Sequence, residues 1–257
     1  MLEVPSKDIS KIAPLFQNTT HTIILSCLQG YMGRAWANNL DNPVSAQIIV
    51  GDFCFFAGIP DRELIQNIHV GSPSGILLLI PESPGWNSLI EEAYPGKFER
   101  FMRYSTKKEP EAFHKETLSG NIENLPNEYS LHKIDKTIYQ RILQMEQLRD
   151  LCSVFDNYES YDRSGLGFVI MHGDSIVSGA SSYTVYHNGI EIEVDTLPEY
   201  RRKGLALISS SRLILECLEH GIYPSWDAMN EESIMLAGKL GYHFNEAYVT
   251  YLVIDKS

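Results

Sequence analysis

Between residues 167 and 196 the apolar positions come in short runs broken by two- and three-residue turns. GFVIMH (167–172), SIVSGASSYTVY (175–186) and IEIEVDT (190–196) each read as a strand. The connections Gly173-Asp174 and His187-Asn188-Gly189 are too tight for a crossover, so the three predict an antiparallel meander. The period changes on either side. From Lys136 to about Phe155, Ile138, Ile142, Met145, Leu148, Leu151 and Cys152 recur at three- and four-residue spacing and predict a helix. ALISSSRLILECLEHG predicts a second, closed by Gly221, and NEESIMLAGKLG a third, from Asn230 to Gly241. YSLHKID (129–135), YPSWDAM (223–229) and YHFNEAYVTYLVI (242–254) supply the remaining strands, and NYESYDRSG reads as a loop.

The first half mixes the same periods. SKDISKIAPLF, 19–39, SPGWNSLIEEAYP (83–95) and EAFHKETLSGNI (111–122) read as helical. AQIIV and FCFFAG flank Gly51-Asp52 as a hairpin would, and GILLLI (75–80) and KFERFMRYSTKK (97–108) read as strands. NLPNE (124–128) is a plausible linker, which sets domains at 1–125 and 126–257.

With 257 residues, 44% of them hydrophobic, the chain can bury a sizeable core. No apolar run reaches the roughly 18 residues of a membrane span, and MLEVPSKDIS does not resemble a signal peptide; a cytoplasmic protein without membrane partners is expected. Cys27, Cys54, Cys152 and Cys217 lie among apolar residues without CxxC spacing, so buried free thiols are expected. The eight histidines lack HxxxH or HExxH spacing, and no metal site is expected. The net charge of −12 argues against nucleic-acid binding and is compatible with a cationic substrate such as an amine.

Against that acidity, PEYRRKGLA (198–206) sets Arg201, Arg202 and Lys203 in a row before Gly204. They stand in the more acidic half, residues 126–257, which carries 11 basic and 19 acidic side chains. The first amides of the following helix have no internal partner, and the helix dipole adds partial positive charge. Gly204 lets a ligand approach the backbone, small Ala206 keeps the helix face open, and an anion such as a diphosphate fits this turn. A plain charged turn, neutralised by Glu199 and nearby acids, is the alternative. No GxGxxG or GxxxxGK[ST] is present.

The order strand, helical region, meander, R-x-x-G-x-A, helix, strand, Asn, helix, Leu-Gly-Tyr, strand over residues 129–254 resembles the GNAT acetyltransferase superfamily. VDTLPEYRRKGLA (194–206), the helix after it and NEESIMLAGKLGYHF (230–244) carry the resemblance. The whole chain also resembles the zwittermicin-resistance-like GNAT subgroup. The resemblance implies an α/β (α+β) protein with a C-terminal GNAT fold around a mixed, mostly antiparallel sheet. The N-terminal α/β domain would be either a degenerate GNAT-like repeat packed as a pseudo-dimer or a substrate cap. It implies acetyl-CoA as co-substrate, without a metal. The backbone of Val194, Asp195 and Thr196 would hold the pantetheine. That of Arg201, Arg202, Lys203, Gly204, Leu205 and Ala206 would cradle the pyrophosphate; Asn230 would sit near the pantetheine arm or serve as a plain helix cap, or both, and Ser233 would bind the cofactor as well.

It further implies N-acetyl transfer to a primary amine of a small molecule by direct attack in a ternary complex, by a monomer or a homodimer. Strand alternation puts Glu191, Glu193 and Asp195 on one face, either as a solvated polar face or, if enclosed, as carboxylates that raise one another's pKa. Glu193 or Glu191 would be the base, and the Val194 N–H would steady the developing oxyanion. The sequence departs from the family at Ala237, where a tyrosine acid is common. Ser233, Tyr242 or solvent would then protonate the thiolate. A non-catalytic acyl-CoA-binding sensor or scaffold is the alternative function. Tyr158, Tyr161, Tyr183 and Trp226 either line an acceptor pocket or pack the core.

Overall fold

The computed structural model describes residues 1–68 and 76–254. The chain forms two compact units, Met1–Arg103 with Ala247–Ser257, and Tyr104–Glu246. The first contains β1 (Leu2–Glu3), α1 (Ile23–Leu28), β2 (Arg34–Ala37), β3 (Ser45–Val50), β4 (Phe53–Gly58), α2 (Arg62–Gln66), β5 (Ile76–Pro81), α3 (Pro84–Ala93) and the start of β6 (Phe98–Thr106). The second contains the end of β6, then α4 (Lys115–Glu123), β7 (Tyr129–Lys133), α5 (Lys136–Leu143), α6 (Tyr158–Ser164), β8 (Gly167–His172), β9 (Ser175–Tyr186), β10 (Gly189–Thr196), α7 (Leu205–Glu219), β11 (Tyr223–Ser225), β12 (Asp227–Ala228), α8 (Glu231–Leu240) and the start of β13 (Phe244–Ile254).

In the first unit β1, β2, β3 and β4 pair antiparallel in sequence, β5 joins β4 in parallel, and β13 joins β5 antiparallel. Gly51 turns the β3–β4 hairpin with φ 56°, as the Gly-Asp pair predicts. The core gathers Trp36, Phe56, Leu64, Ile65, Leu79, Trp86, Ile90 and Tyr251. Trp86 Nε1 donates to the Gly58 carbonyl, and Asn67 Nδ2 to Gln47 Oε1.

The second unit holds a five-stranded sheet in the order β11-β10-β9-β8-β7, antiparallel except for the parallel β10–β11 pair. The antiparallel meander is present as the turn lengths predict. Helix α7 packs Leu205 and Ile208 against Ile170 and Val177. The residue 125/126 boundary falls inside this unit: α4 lies on α7, with Asn121 Nδ2 donating to Ser211 Oγ at 3.0 Å.

Several sequence readings differ from the structure, among them YPSWDAM (223–229), which forms two strands, β11 and β12, in separate sheets. Residues 19–39 are not one helix: α1 stops at Leu28, Gly30 and Gly33 take φ 75° and 86°, and Arg34–Ala37 pairs as a strand. The helix from Lys136 ends at Leu143, where i→i+3 bonds from Gln144 and Met145 tighten the chain, and a 3₁₀ turn at Arg149–Leu151 buries Leu148 and Leu151 separately. NYESYDRSG contains α6, nucleated by a capping box between Asn157 and Ser160. Gly75, the first residue of the GILLLI strand reading, lies outside the described residues.

Candidate active site

The parallel contact between β10 and β11 lasts three pairs, Gly189–Tyr223 to Glu191–Ser225. Beyond Trp226, β12 leaves and pairs with β6, Asp227 opposite Ser105 and Ala228 opposite Tyr104. Residues 192–196 of β10 therefore keep one neighbour, β9, and present their other edge to the gap. Backbone direction alternates along a strand. Leu197 N–H bonds to Val177 O, and the Asp195 carbonyl accepts from Ser178 Oγ at 3.1 Å, so Asp195 faces β9. Val194 and Thr196 face the open edge, and the Thr196 carbonyl accepts Arg201 Nε from that side at 3.2 Å. Of the three residues expected to hold pantetheine by their backbone, Val194 and Thr196 offer donor and acceptor groups there and Asp195 does not.

The open edge leads into the Arg201–Ala206 turn. Arg202 and Gly204 both take left-handed φ, 62° and 79°. A left-handed non-glycine residue costs roughly 1–2 kcal/mol, and such strain concentrates at functional positions. A Cβ on Gly204 would meet nothing within 4 Å, so the glycine serves its backbone angle and leaves the mouth of α7 open. No side chain caps α7 and its first turn has no acid. This concave run of amides at a helix N-terminus is a nest suited to an anion. The three cations have local contacts: Arg201 with Thr196 O, Arg202 with Glu232 Oε1 at 3.2 Å, and Lys203 Nζ 4.8 Å over the Tyr200 ring. Of the acids near the turn, Glu232 pairs with Arg202.

The acidic face of β10 is not a uniformly solvated face. Glu191 is 3% exposed, and Glu193 and Asp195 are half-buried. Glu191 stands in the paired stretch opposite Thr184 and Ser225. Its charge adds to the burial that pushes the Tyr186, Tyr223 and Tyr242 hydroxyls upward. Asp195 lies past the divergence. Burial, then the charge of Asp150, pushes its carboxyl up to about 6, with Arg201 opposing. Asp150 belongs to the 3₁₀ turn Arg149–Leu151, which the sequence reading placed inside a helix; nothing in its local pattern points to Asp195.

On α8, Asn230 is the N-cap, its Oδ1 accepting the Ser233 amide at 2.9 Å. Ser233 Oγ accepts Trp226 Nε1 at 3.1 Å and retains its own proton for donation. Ala237 is fully buried. Tyr242 is also buried, and its hydroxyl donates to the Pro224 carbonyl at 2.5 Å. Tyr161 is core, packed against Tyr139 and Phe155 with its hydroxyl 2.8 Å from Ser181 Oγ, and Tyr183 and Trp226 are buried. Tyr158 lies at the start of α6, its hydroxyl donating to Asp162. All four cysteines are buried and free. No group of three or more metal-ligating side chains occurs among the described residues.

The strand edge opened beyond Glu191 thus stands beside the uncapped N-terminus of α7, and comparisons with known proteins bear on the family resemblance. The sequence model described as GNAT acetyltransferase matches residues 13–251. A Bacillus subtilis protein, the uncharacterized N-acetyltransferase YdfB, is 31% identical over 179 residues, which cover 67% of this chain and 64% of that protein's length. A solved GCN5-related N-acetyltransferase-like protein from Streptococcus suis is 40% identical, with TM-score 0.91 over 96% of this chain and 98% of that one. A tandem GNAT protein from the clavulanic acid biosynthesis pathway shares the fold at TM-score 0.61 and 9% identity, over 100% of this chain and 98% of its own. The match to the family runs through both units rather than through the second alone, and on that ground the chain belongs to the GNAT acetyltransferase family.

Proposed function

We propose that the protein transfers the acetyl group of acetyl-CoA to a primary amine of a small molecule. The observation that carries this is the open edge of Val194 and Thr196 running directly into the left-handed turn at Arg202 and Gly204. The residues fit the donor: two strand residues offer hydrogen bonds to an extended amide-bearing arm, and a nest with no acid in the first helical turn suits a diphosphate. Bound acetyl-CoA would supply an activated thioester carbonyl. The amine nitrogen bonds to that carbonyl carbon, the carbon–sulfur bond breaks, and the amine loses one proton. Among the three strand carboxylates, Asp195 is the base this reading selects over Glu193 and Glu191. Its carboxyl, raised to about 6, is more basic than an ordinary aspartate yet mostly ionised at neutral pH. The Val194 N–H steadies negative charge developing on the thioester oxygen. With Ala237 in place of a tyrosine and Tyr242 bonded to Pro224, the thiolate takes its proton from Ser233 or water.

The finer parts of the reading are a zwittermicin-resistance-like subgroup, residues 126–257 as the catalytic GNAT domain, and work in the cytoplasm on an amine without nucleic-acid or membrane partners. The net charge of −12 supports a cationic acceptor. CoA release is measured with an amine panel; turnover that collapses in Gly204→Glu supports the reading. Acetyl-CoA binding with no turnover by any amine supports the second reading, an acyl-CoA sensor, which the absence of a tyrosine at Ala237 favours.

A further inference from the structure

We infer that Trp226 is a positioning residue for the donor slot: its indole aims the Ser233 hydroxyl at the sulfur of a bound thioester. The inference rests on the reading of the β10 edge and the Arg201–Ala206 turn as the acetyl-CoA site. Trp226 is the residue at which the chain changes sheets. The last β10–β11 pair is Glu191–Ser225, and Asp227 already pairs with Ser105. Between them the Trp226 carbonyl accepts Thr106 Oγ1 at 2.7 Å. The ring is buried against Tyr242, with centroids 5.6 Å apart, and the Tyr242 hydroxyl bonds to the carbonyl of Pro224, just upstream. Backbone and ring are thus both fixed at the point where the slot opens.

From that point the indole N–H reaches α8. Nε1 donates to Ser233 Oγ at 3.1 Å, and Asn230 Oδ1 holds the Ser233 amide at 2.9 Å. Glu232, the residue before Ser233, pairs with Arg202 of the anion turn at 3.2 Å. The first turn of α8 is therefore tied on one side to the place where β10 and β11 part, and on the other to the nest at the mouth of α7. This sets it along the slot, across from the edge of Val194 and Thr196. Ser233 is half-buried and carries the one hydroxyl of that turn. Its oxygen accepts the indole proton, so its own O–H is left to donate, and a hydroxyl that accepts one bond donates the next more strongly. Ala237, one turn further along α8, brings no polar atom. A departing thiolate is the group in the slot that calls for such a donor. As the carbon–sulfur bond breaks, its electron pair goes to sulfur. The Ser233 O–H bonds to that sulfur, and water then supplies the proton.

The test is a titration of the thiol of bound CoA, followed by thiolate absorbance, in wild type, Ser233→Ala, Ser233→Thr and Trp226→Phe. The kcat and KM for acetyl-CoA are measured in parallel. A hydrogen bond to the charged form lowers a pKa, so Ser233→Ala should raise the thiol midpoint by roughly half a unit to one unit. Trp226→Phe keeps a ring but loses the N–H, and should raise it by less. In Ser233→Ala, kcat should fall roughly 10-fold with KM within about twofold of wild type. Ser233→Thr should keep both near wild type. The double variant should lose no more than Ser233→Ala alone, because the indole acts through that hydroxyl. The indole N–H resonance of Trp226 should also move in Ser233→Ala, a readout that needs no change at Trp226. A thiol midpoint unchanged in Ser233→Ala or in folded Trp226→Phe, an indole signal that stays in place, or losses that add in the double variant overturn the inference. A folded wild type that binds no CoA overturns it together with the reading of the site. The titration needs no turnover, so a protein that shows the thiol shift but acetylates no amine keeps the role of Trp226 and loses only the amine acceptor.

Discussion

Asp195 has two readings in the sequence: a backbone contact implied by the resemblance, and one of three carboxylates on one strand face. The family resemblance gives it a backbone role, yet its backbone bonds toward β9 and its carboxyl is the perturbed group. The neighbouring Glu191 and Glu193 point to raised carboxylates if the face is enclosed; burial is the first cause at Asp195, and Asp150 arrives from 45 positions earlier by way of a turn. The raised carboxyl has a stability consequence with a definite sign. A carboxyl held above the ordinary aspartate value, at about 6, contributes its stability at low pH and loses it as pH rises through 6. Asp195→Asn removes that loss. Its Tm should match wild type near pH 4 and exceed it by a few degrees near pH 8, while kcat/KM falls by roughly 10²–10⁴. Thermal melts at the two pH values check the first part, and CoA-release rates the second. The cysteines behave as their apolar neighbours suggest: burial pushes the Cys27 and Cys152 thiols up to about 12 and those of Cys54 and Cys217 higher still. A disulfide reagent should find no fast-reacting thiol in the native protein and four after denaturation.

Elements whose signals are local were legible. The β3–β4 hairpin, the β8–β9–β10 meander, α7 and α8 follow from alternation, turn residues and caps, and Asn230 and Gly241 close α8 as read. The misread stretches are those in which a helical period continues past a tertiary event. In 136–155, Leu148, Leu151 and Cys152 fit a helix on paper but are buried by a 3₁₀ turn packed over Gly179. In 19–39, the buried Trp36 belongs to a strand whose partner, β3, is a separate element. Two element-scale outcomes follow from the caps and packing of α8. Asn230→Ala should cost about 1 kcal/mol by loss of the cap, read by denaturant unfolding. Tyr242→Phe leaves the buried Pro224 carbonyl without its donor and should cost about 1–3 kcal/mol, yet leave kcat close to wild type under the proposal that Ser233 or water protonates the thiolate. A collapse of kcat in a folded Tyr242→Phe protein would return that tyrosine to the mechanism.

At the scale of the molecule, two units and one R-x-x-G-x-A turn set the expectation of a single donor site. The chain divides at Arg103/Tyr104 and Glu246/Ala247, away from the NLPNE stretch, and within the second unit α4 packs on α7, an attachment no linker composition reveals. Matches that cover both units, including a tandem GNAT protein of the same fold, agree with the expected α/β architecture. Ligand binding should also stabilise the whole chain: at a free concentration of 100 Kd, acetyl-CoA adds about 2.7 kcal/mol, visible as a rise in Tm. The most direct test is calorimetric titration of acetyl-CoA into wild type and Gly204→Glu. The expected result is saturable binding of one acetyl-CoA per chain, abolished in the variant, whose carboxylate would stand at the mouth of α7. Binding that persists undiminished in a folded Gly204→Glu protein, or no binding by wild type, would contradict the assignment of this turn.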